Sequence, residues 1–423
     1  MSRASLRVAV LGAGTVGREV VRGLLEQSDG LCATDGARLV LTGVASRNLA
    51  RAREAGIPAG LLTDAPAHLV ASPETDVVVE LMGGDEPART LIAAALGAGK
   101  PVVTANKHVV AHHGPDLEAA ARRTGAPFRF EAAVGGGIPI LGPLASDLAA
   151  NEIHRVRGIV NGTTNYILTA MARDGRAYAS VLADAQAQGY AEADPAGDVE
   201  GDDAVNKLVI LARLAFGEWL DPGSVGRRPP TVRGWALPGI VGVTDAEIEG
   251  ASRLGLTIKL LATAAPGRAG IGATVVPSLV PVDDPFGRTD GVTNRIEIDA
   301  SPLGTVDIAG PGAGGAATSS AVLGDLVAVA RGLSSTWAGL PAATGPAGET
   351  TPPFEGTRRW FLHVPDASRA SATDPTSLGD SIVIAAAAGI AIRTPDVDLD
   401  AARGLIGPLL SEGADVTLYP VEA

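Results

Sequence analysis

One short stretch of the chain combines residues that could move a proton. Seven carboxylates surround a single lysine between residues 184 and 207. They are Asp184, Glu192, Asp194, Asp198, Glu200, Asp202 and Asp203. Asp203 and Lys207 are four residues apart, so that in a helix both would lie on one face. A lysine ammonium beside a carboxylate can donate a proton, but acidic residues at a helix start also serve simply as caps. These residues alone leave both interpretations open.

The element expected to carry this lysine is a helix. The apolar residues after Asp203 recur at helical spacing, which predicts a helix from Asp202 or Asp203 to about Phe216. Helices and β-like runs also flank it, which indicates an α+β domain whose sheet could serve as a dimer surface. The predicted helices there are 166–172 and 244–254, and the predicted strands are 154–160, 257–263, 272–280 and 294–298.

A nucleotide site is predicted at the beginning of the chain. The apolar run Leu6 to Leu11 leads into Gly12-Ala-Gly14-Thr15-Val16-Gly17, and an amphipathic helix is expected over 18–27. Strand, glycine turn and helix in that order are the context that the dinucleotide fingerprint requires. Gly12 allows the tight turn, Gly14 lets the backbone approach a pyrophosphate, and Gly17 lets helix and strand pack closely. The helix N-terminus offers N–H groups to the phosphates.

The end of the second predicted strand bears on the choice of cofactor. That strand covers 38–45 and is followed by Ser46-Arg47-Asn48. An NAD site would place a carboxylate here, whereas an arginine can pair with a 2′-phosphate. Arg47 therefore favours NADP over NAD, with a solvated surface arginine as the alternative.

Further βαβ units extend the first domain into a doubly wound parallel sheet. Strands are predicted at 76–80 and 100–104 with a helix at 87–98 between them. Ligands bind at the carboxyl edge of such sheets. Lys107, just after the second of these strands, could reach a nicotinamide or a substrate there. A surface lysine at a helix start is the alternative.

A glycine turn near residue 135 could hold a hard cation. A strand beginning at Phe128 runs through Glu131 and Val134 into Gly135-Gly136-Gly137 and Ile138. Glycines free backbone carbonyls to point in one direction, and Glu131 adds a carboxylate. Such an oxygen-only environment suits a hard cation rather than zinc. A flexible hinge between domains explains the same residues equally well.

The last third of the chain returns to the nucleotide domain and then adds a tail. A second glycine loop at 307–315 precedes a predicted helix at 317–331, which suggests that it closes over the cofactor. A linker rich in proline and glycine follows. The tail is predicted to contain a strand at 359–364, a helix at 378–388, a strand at 390–393, a helix at 400–410 and a strand at 415–421.

Composition excludes several classes of function. The 423 residues suffice for two or three domains. A formal charge of −13 argues against nucleic acid or an anionic membrane as partner. The one cysteine, Cys32, excludes an intrachain disulfide and any multi-cysteine metal site, and fits a reducing cytoplasm. No apolar run has the length of a membrane span.

Seven motifs, in this order along the chain, resemble those of homoserine dehydrogenase over at least residues 6–331. They are Gly12-Ala-Gly-Thr-Val-Gly17, Thr104-Ala-Asn-Lys107, Glu131-Ala-Ala-Val-Gly-Gly-Gly-Ile-Pro139, Gly158-Ile-Val-Asn-Gly-Thr-Thr-Asn-Tyr-Ile-Leu168, Gly189-Tyr-Ala-Glu-Ala-Asp-Pro195 with Asp203 and Lys207, Asp290-Gly-Val-Thr-Asn294 and Gly312-Ala-Gly-Gly315. The resemblance implies NAD(P)-dependent interconversion of L-aspartate 4-semialdehyde and L-homoserine, on the route to threonine and methionine.

The resemblance also implies roles for particular residues. Lys207 is similar to the family's proton-transfer lysine, with Asp203 as its companion. Glu192 resembles the residue that holds the substrate ammonium, and the surrounding pocket matches Gly189, Tyr190, Thr163 and Asp198. Cofactor contacts are implied for Gly12, Gly14, Thr15, Val16, Gly17, Thr104, Lys107 and Gly314, in addition to Arg47. Glu131, Val134, Gly136 and Ile138 resemble a monovalent-cation site, usually of sodium.

The expected fold class is α/β: a Rossmann-type nucleotide-binding domain, an α+β catalytic and dimerisation domain, and a small ACT-like C-terminal domain. The boundaries follow the motifs. They are 1–138 with 312–335, then 139–311, a linker at 336–356, and 357–423. The tail reads Val364-Pro-Asp-Ala-Ser-Arg369 where the family's regulatory domain has a Pro-Gly-Val loop, so that no effector can be assigned.

Two other functions compete with the dehydrogenase. One is a catalytically silent NADP-binding sensor, and the other is a reductase of a different small aldehyde. The Glu192, Asp203 and Lys207 set argues against the sensor, since a sensor needs no proton donor. A homodimer or homotetramer is expected.

Overall fold

The computed structural model describes residues 5–26, 38–268, 270–337, 339–343, 348, 350, 354–365, 380–386, 389–410 and 414–422. The elements of the first third are β1 (Leu6–Leu11), α1 (Thr15–Glu26), β2 (Leu39–Ala45), α2 (Leu49–Glu54), β3 (Leu62–Thr63), α3 (Pro66–Ala71), β4 (Val77–Glu80), α4 (Ala88–Gly97), β5 (Val102–Thr104), α5 (Lys107–Thr124), β6 (Phe128–Arg129) and α6 (Leu141–Ala145). Those of the middle are β7 (Glu152–Ile159), α7 (Gly162–Asp174), α8 (Tyr178–Ala187), α9 (Ala196–Val199), α10 (Asp202–Phe216), α11 (Asp245–Arg253), β8 (Leu256–Gly267), β9 (Gly270–Pro281), β10 (Thr293–Ser301), β11 (Gly304–Pro311) and α12 (Gly315–Ala330). The tail contains β12 (Arg359–Pro365), β13 (Ile382–Ala386), β14 (Gly389–Arg393), α13 (Leu399–Ile406) and β15 (Tyr419–Val421).

The chain divides into two compact units. Unit 1 contains Met1–Ile153, Val209–Pro222 and Ala300–Gly348, and unit 2 contains His154–Leu208, Gly223–Asp299 and Glu349–Ala423. No helix among the described residues combines the length and the apolar character that crossing a membrane requires.

Unit 1 is built on a parallel sheet in the order β3-β2-β1-β4-β5-β6. Its central strand β4 begins with three valines, Val77, Val78 and Val79, that are fully buried. Strands buried on both faces are typical of doubly wound sheets. In the core, Val8 and Val10 of β1 join Leu24 of α1 and Leu326 of α12. The predicted Rossmann-type fold is therefore confirmed.

A buried ion pair fixes the second half of α10 within unit 1. Arg213 is fully buried, and its Nη2 donates to Oε1 of Glu118 on α5 at 2.7 Å. Trp219 Nε1 donates to the other carboxylate oxygen of Glu118 at 2.8 Å. Burial alone would raise the pKa of Glu118, but these donors, Arg213 first, hold it below its usual value. Losing either partner would leave a buried charge uncompensated.

Unit 2 contains a mixed sheet, in which β10, β7, β8, β9, β15, β12, β14 and β13 follow one another. The long antiparallel hairpin of β8 and β9 runs from the Leu256–Pro281 pair to the Gly267–Gly270 pair. The tail continues this sheet, because β15 pairs in parallel with β9 at Val421 and Leu279. Trp360, Leu362 and Ile392 of the tail are fully buried in a common cluster.

The prediction for the tail is wrong in one element. A helix was expected over 378–388, but residues 382–386 form β13, which pairs antiparallel with β14 from Ile382–Arg393 to Ala386–Gly389. Alanines favour a helix in isolation, whereas pairing with a neighbouring strand decides the conformation in the fold. Residues 380 and 381 are described and are not helical, whereas 378, 379, 387 and 388 lie outside the described residues. So do residues 366–369 of the sequence that replaces the family's loop.

Three smaller differences concern element ends. The glycine loop expected at 307–315 is shorter, since residues 307–311 belong to β11, where Val306 and Ile308 alternate with more exposed residues. The strand expected from Phe128 ends at Arg129 and gives way to a 3-10 turn. Helix α7 begins four residues earlier than predicted, because Asn161 accepts from Thr164 N and caps it.

The predicted domain boundaries stay a prediction about which parts fold independently. The compact units divide the chain differently, because residues 349–423 group with the sheet of unit 2. Strand pairing across β15 is the physical reason.

Candidate functional site

The glycine turn after β1 brings three backbone segments into close contact. Gly12 has φ +109°, and a Cβ there would lie 2.5 Å from the carbonyl oxygen of Leu81. A Cβ on Gly17 would lie 2.0 Å from the carbonyl oxygen of Gly12. At Gly14 no atom lies within 4 Å of the Cβ position. Two of the glycines are therefore required for packing, and the third leaves space at the N-terminus of α1.

This turn opens into a cleft of about 820 Å³ in unit 1. It is lined by Gly12 to Thr15, by residues 45–48 and by Leu81 to Gly84. Val16, the second residue of α1, is half-buried beside them. The volume is typical of a small-molecule site. The donors at the start of α1 suit the pyrophosphate of a dinucleotide.

Three arginines line the same cleft. Arg47 follows β2, as the sequence predicted, and its side chain is exposed. Arg18 on α1 and Arg51 on α2 join it, and neither was singled out from the sequence. The spacing of Arg47 and Arg51 around the cap of α2 would have been the signal, because both lie within one turn of a helix start. The lining of the cleft also contains two carboxylates, Asp64 and Glu86.

A buried carboxylate shapes the wall next to β4. Glu80 is fully buried, accepts a hydrogen bond from Thr104 Oγ1 at 2.7 Å, and accepts another from Met82 N at 2.7 Å. Burial raises the pKa of the Glu80 carboxyl, which these donors partly counteract. Sequence analysis did not single out Glu80. Thr104, assigned to the cofactor, thus also supports the glycine-containing wall.

The end of β5 is fixed in the same way. Asn106 caps α5, with its Oδ1 accepting from Val109 N, and its Nδ2 donates to the carbonyl of Gly84 at 2.8 Å. Lys107 is the first residue of α5 and is half-buried. Its position at the carboxyl edge of the sheet is the one that the sequence predicted.

The start of α12 lies against the turn of α1. Gly314 has φ +108°, and a Cβ on the next residue, Gly315, would lie 3.1 Å from the carbonyl oxygen of Thr15. The structure therefore brings Gly314 to the nucleotide turn, although about 300 residues separate them in the chain.

Glu131 organises the glycine turn that was considered as a cation site. Its carboxylate accepts three backbone hydrogen bonds, from Ile140 N and Leu141 N at 2.7 and 2.8 Å and from Gly142 N at 2.7 Å. It thus caps α6. Burial raises the pKa of Glu131, and the three N–H groups oppose that rise. Its backbone N–H donates to Asp325 of α12 at 2.8 Å.

The proposed carbonyl ligands lie in the turn that follows. Val134, Gly136 and Ile138 are buried, and φ is +60° at Gly136. A Cβ on Gly136 would lie 2.6 Å from the carbonyl of Gly312. No described residue donates a hydrogen bond to the carbonyl oxygens of Val134, Gly136 or Ile138. Buried carbonyls without a donor, beside a carboxylate, fit a hard cation.

In unit 2, Lys207 is held at the buried face of α10. It is 8% exposed, and its ammonium donates to the carbonyl oxygen of Val160 at 2.6 Å and to Oδ2 of Asp203 at 2.7 Å. The four-residue spacing on one helix places Asp203 beside it. Helix α10 begins at Asp202 and ends at Phe216, as predicted. The ammonium is thus oriented by one carboxylate and one backbone carbonyl.

Asn161 joins the acidic residues around this lysine. Its Nδ2 donates to Asp203 Oδ2 at 2.9 Å and to Asp198 Oδ1 at 2.7 Å, while its Oδ1 caps α7 through Thr164 N. Burial raises the pKa of Asp198, and the Asp203 charge adds to that rise. Asn161 belongs to the Gly158–Leu168 motif, and the sequence predicted no role for it, although an asparagine before Gly-Thr-Thr is a signal for an N-cap.

Of the remaining predicted substrate residues, Thr163 lies on α7, and Gly189, Tyr190 and Glu192 lie between α8 and α9. Thr163 Oγ1 donates to the carbonyl of Tyr190 at 2.7 Å, which ties this segment to α7. Tyr190 is 43% exposed, and Gly189 has φ +75° at the end of α8. Glu192 is exposed, and no described side chain pairs with its carboxylate. The structure thus groups Thr163 and Tyr190 through a hydrogen bond, whereas no hydrogen bond or ion pair among the described residues joins the Glu192 carboxylate to the Lys207 cluster.

Comparison with known proteins identifies the family. Two family models match, homoserine dehydrogenase NAD binding domain over residues 12–131 and homoserine dehydrogenase over residues 139–327. The homoserine dehydrogenase of Mycobacterium tuberculosis is 47% identical over 329 residues, which cover 77% of this chain and 72% of the relative.

Solved structures agree. A homoserine dehydrogenase from Thiobacillus denitrificans superposes with a TM-score of 0.86 at 34% identity, over 99% of this chain and 98% of that one. A hyperthermophilic archaeal homoserine dehydrogenase in complex with NADPH has a TM-score of 0.64 at 26% identity, over 77% of this chain and 98% of that one. The chain therefore belongs to the homoserine dehydrogenase family and is an NAD(P)-dependent oxidoreductase that acts on a CH–OH group.

Proposed function

We propose that this homoserine dehydrogenase interconverts L-aspartate 4-semialdehyde and L-homoserine with Lys207 as proton donor and NADPH as reductant. The observation that carries the assignment of Lys207 is the geometry of its ammonium. A nearly buried lysine that donates to a carboxylate at 2.7 Å and to a carbonyl at 2.6 Å has an ammonium with a fixed direction, as a proton donor requires.

The chemistry divides between cofactor and protein. The nicotinamide supplies a hydride to the aldehyde carbon when it is bound. The carbonyl oxygen of the substrate then gains negative charge, which the Lys207 ammonium stabilises before it transfers a proton. Asp203 balances the charge of the ammonium and fixes its orientation. In the oxidative direction the same lysine, once neutral, accepts the hydroxyl proton.

The substrate brings its own ammonium group, which explains an acidic surrounding. We assign its recognition to Glu192, whose exposed carboxylate is available to a ligand, together with Asp198. Thr163, Gly189 and Tyr190 would shape the pocket. A 2-hydroxy acid without an amino group would gain nothing from these carboxylates.

NADP is the proposed cofactor, and NAD remains a possible one. The support is that three arginines, Arg47, Arg18 and Arg51, line the cleft and that Arg47 follows β2, from where a guanidinium can pair with a 2′-phosphate. The archaeal relative solved with NADPH points the same way. Gly12, Gly14, Thr15, Val16 and Gly17 would hold the pyrophosphate, with Thr104, Lys107 and Gly314 around the nicotinamide half.

A monovalent cation, sodium by the family's pattern, is also proposed. Glu131 and the carbonyls of Val134, Gly136 and Ile138 would hold it, and it would neutralise the buried carboxylate and brace the turn. Replacing sodium by a larger cation such as caesium should lower the melting temperature and activity together.

The proposal also includes the oligomeric state, the cellular location and the domain division. A homodimer or homotetramer is supported by exposed apolar residues beside the sheet of unit 2, such as Val282 and Val292, and light scattering tests it. A cytoplasmic location rests on the single cysteine. The division of the chain into domains, with a C-terminal domain at 357–423, is the third part, and limited proteolysis tests it.

The deciding experiment is NADP⁺ reduction with L-homoserine by wild type and by Lys207→Ala. We expect kcat to fall by about 10²–10⁴-fold in the variant while NADPH affinity stays unchanged. Lys100→Met is the matched control, since the Lys100 ammonium also donates to two backbone carbonyls, those of Val70 and Ser72, but lies in unit 1. Full activity in Lys207→Ala would remove this lysine from the mechanism.

A further inference from the structure

Lysine is rare in this chain, and none of its lysines is exposed. The full sequence has 34 basic residues, of which only Lys100, Lys107, Lys207 and Lys259 are lysines. Exposed cations are therefore supplied by arginine. A compact ammonium in the interior is costly and calls for a specific partner. Lys259 on β8 is the most deeply buried of the four, at 1% exposure, and the proposed mechanism gives it no role.

The Lys259 ammonium holds one loop of unit 2. It donates to the carbonyl of Thr289 at 2.7 Å and lies 3.4 Å from Oδ1 of Asp290. It also donates to Oδ1 of Asn165 on α7 at 3.2 Å. Residues 289–294, which contain the Asp290-Gly-Val-Thr-Asn294 motif, are called the 289–294 loop below. The lysine thus bonds this loop and α7 at once.

Asn165 completes the attachment. It is 1% exposed, and its Nδ2 lies within hydrogen-bonding distance of the carbonyls of Thr289 at 3.0 Å, Gly291 at 2.9 Å and Thr293 at 3.4 Å. An asparagine whose Oδ1 accepts a hydrogen bond from a lysine ammonium has a fixed amide orientation. Lys259 therefore sets the direction of the Nδ2 group that gathers the loop carbonyls.

Burial and two neighbouring charges act on the Lys259 ammonium. Burial lowers its pKa, while the Asp290 carboxylate opposes this and Arg173, which pairs with Asp290, adds to it. Thr289, whose Oγ1 donates to Pro285 O and accepts from Arg295 Nε, keeps the loop rigid on its other side.

The far end of the loop reaches the proton donor. Asn294 is 1% exposed, and its Nδ2 donates at 3.1 Å to the carbonyl oxygen of Val160. The same oxygen accepts the hydrogen bond from the Lys207 ammonium at 2.6 Å. The loop also packs on the start of α7, where a Cβ on Gly162 would lie 2.9 Å from the carbonyl oxygen of Val292. A shift of the loop would therefore move the Val160 carbonyl and the α7 cap together.

From this continuous set of contacts we propose that Lys259 is a positioning residue, which acts through the 289–294 loop and Asn294 to hold the Val160 carbonyl against the Lys207 ammonium. The proposal rests on the proposed role of Lys207. It adds that the direction of proton donation is set by an interior lysine that does not touch the substrate.

The test is a double-mutant cycle of Lys259→Met and Asn294→Ala. Each single variant should lower kcat by about 10–100-fold, since small misplacements of a catalytic group have effects of that size. The KM for NADPH should stay unchanged. Both changes interrupt the same connection. The kcat of the double variant should therefore lie within about threefold of the kcat of the slower single variant.

A control variant and the results of the cycle distinguish the outcomes. Lys100→Met changes a half-buried lysine of unit 1 and should keep wild-type kcat, which shows that losing an ammonium that donates to backbone carbonyls is not by itself the cause. Wild-type kcat in Lys259→Met, or fully multiplicative losses in the cycle, would overturn the proposal. If Lys259→Met does not fold, Asn294→Ala decides alone: reduced kcat at an unchanged melting temperature supports the proposal and wild-type kcat overturns it. Full activity of Lys207→Ala would instead refute the proposed function itself.

Discussion

The cofactor cleft of unit 1 and the Lys207 cluster of unit 2 differ in whether backbone or side-chain groups form them. Backbone forms most of the cleft: a glycine turn, a helix N-terminus and the glycines after β4. The cluster consists of side chains, in which Asn161 joins carboxylates 37 and 42 residues away. A backbone site depends on where a Cβ is absent. A side-chain site depends on hydrogen bonds that single substitutions remove, so the two should fail in different ways.

The largest effect is expected from Gly17→Ala, because the new Cβ would lie 2.0 Å from the Gly12 carbonyl oxygen. Overpacking of this kind costs about 1–3 kcal/mol, so the melting temperature should fall by several degrees and NADPH binding should be lost. Gly14→Ala is the matched control, since its Cβ meets nothing within 4 Å. It should keep the melting temperature while weakening NADPH binding. Equal melting temperatures for both variants would contradict the packing role of Gly17.

Asn161→Ser tests the opposite region. Serine preserves the helix cap but cannot donate to both Asp198 and Asp203, so kcat should fall by roughly 10–100-fold through a misplaced Asp203. Melting and NADPH titration should show little change, unlike in Gly17→Ala. A variant with normal kcat would mean that Asp203 and Lys207 keep their arrangement without Asn161.

Arg47→Ser should alter which cofactor is preferred and leave the chemistry intact. Losing one charged contact to a 2′-phosphate corresponds to about 1.5–3 kcal/mol, so the KM for NADPH should rise at least about tenfold while that for NADH stays the same. Arg53→Ser serves as control, because Arg53 is exposed on α2 but does not line the cleft. Parallel losses with both cofactors would speak against the 2′-phosphate assignment.

The smallest effect concerns the stability of the acidic cluster. Burial raises the pKa of Asp198, so its ionisation opposes folding; this cost is absent below the unfolded pKa and grows as pH rises through the folded pKa. Asp198→Asn should therefore stabilise the protein at neutral pH by less than about 1 kcal/mol, or about 2 °C, while lowering activity. Thermal unfolding at pH 4 and pH 8 measures this, and a larger gain at pH 4 would reverse the expected sign.

How far the sequence leads depends on the range of the interactions. Strand β1 and helix α10 were predicted nearly to the residue, because apolar periodicity and caps are local signals, whereas α1 begins at Thr15, three residues before its predicted start. The tail segment Ile382–Ala386 was not, because its alanines favour a helix until β14 supplies a pairing partner. Asn161 received no role for a related reason. Its hydrogen-bond partners lie on α9 and α10, and the sequence around Asn161 contains no signal that predicts them.

The sequence by itself determined the nucleotide fold, the family and the pairing of Asp203 with Lys207, since each rests on spacing within one element or on motifs in order. Only the tertiary structure decided that Asn161 donates to two carboxylates and that Glu80 accepts from the backbone of the cleft lining. It also decided that the Lys259 ammonium donates to the 289–294 loop, which contains Asn294. Most of these contacts join residues far apart in the chain. Their formation depends on how the sheet and helices pack, which local propensity does not encode.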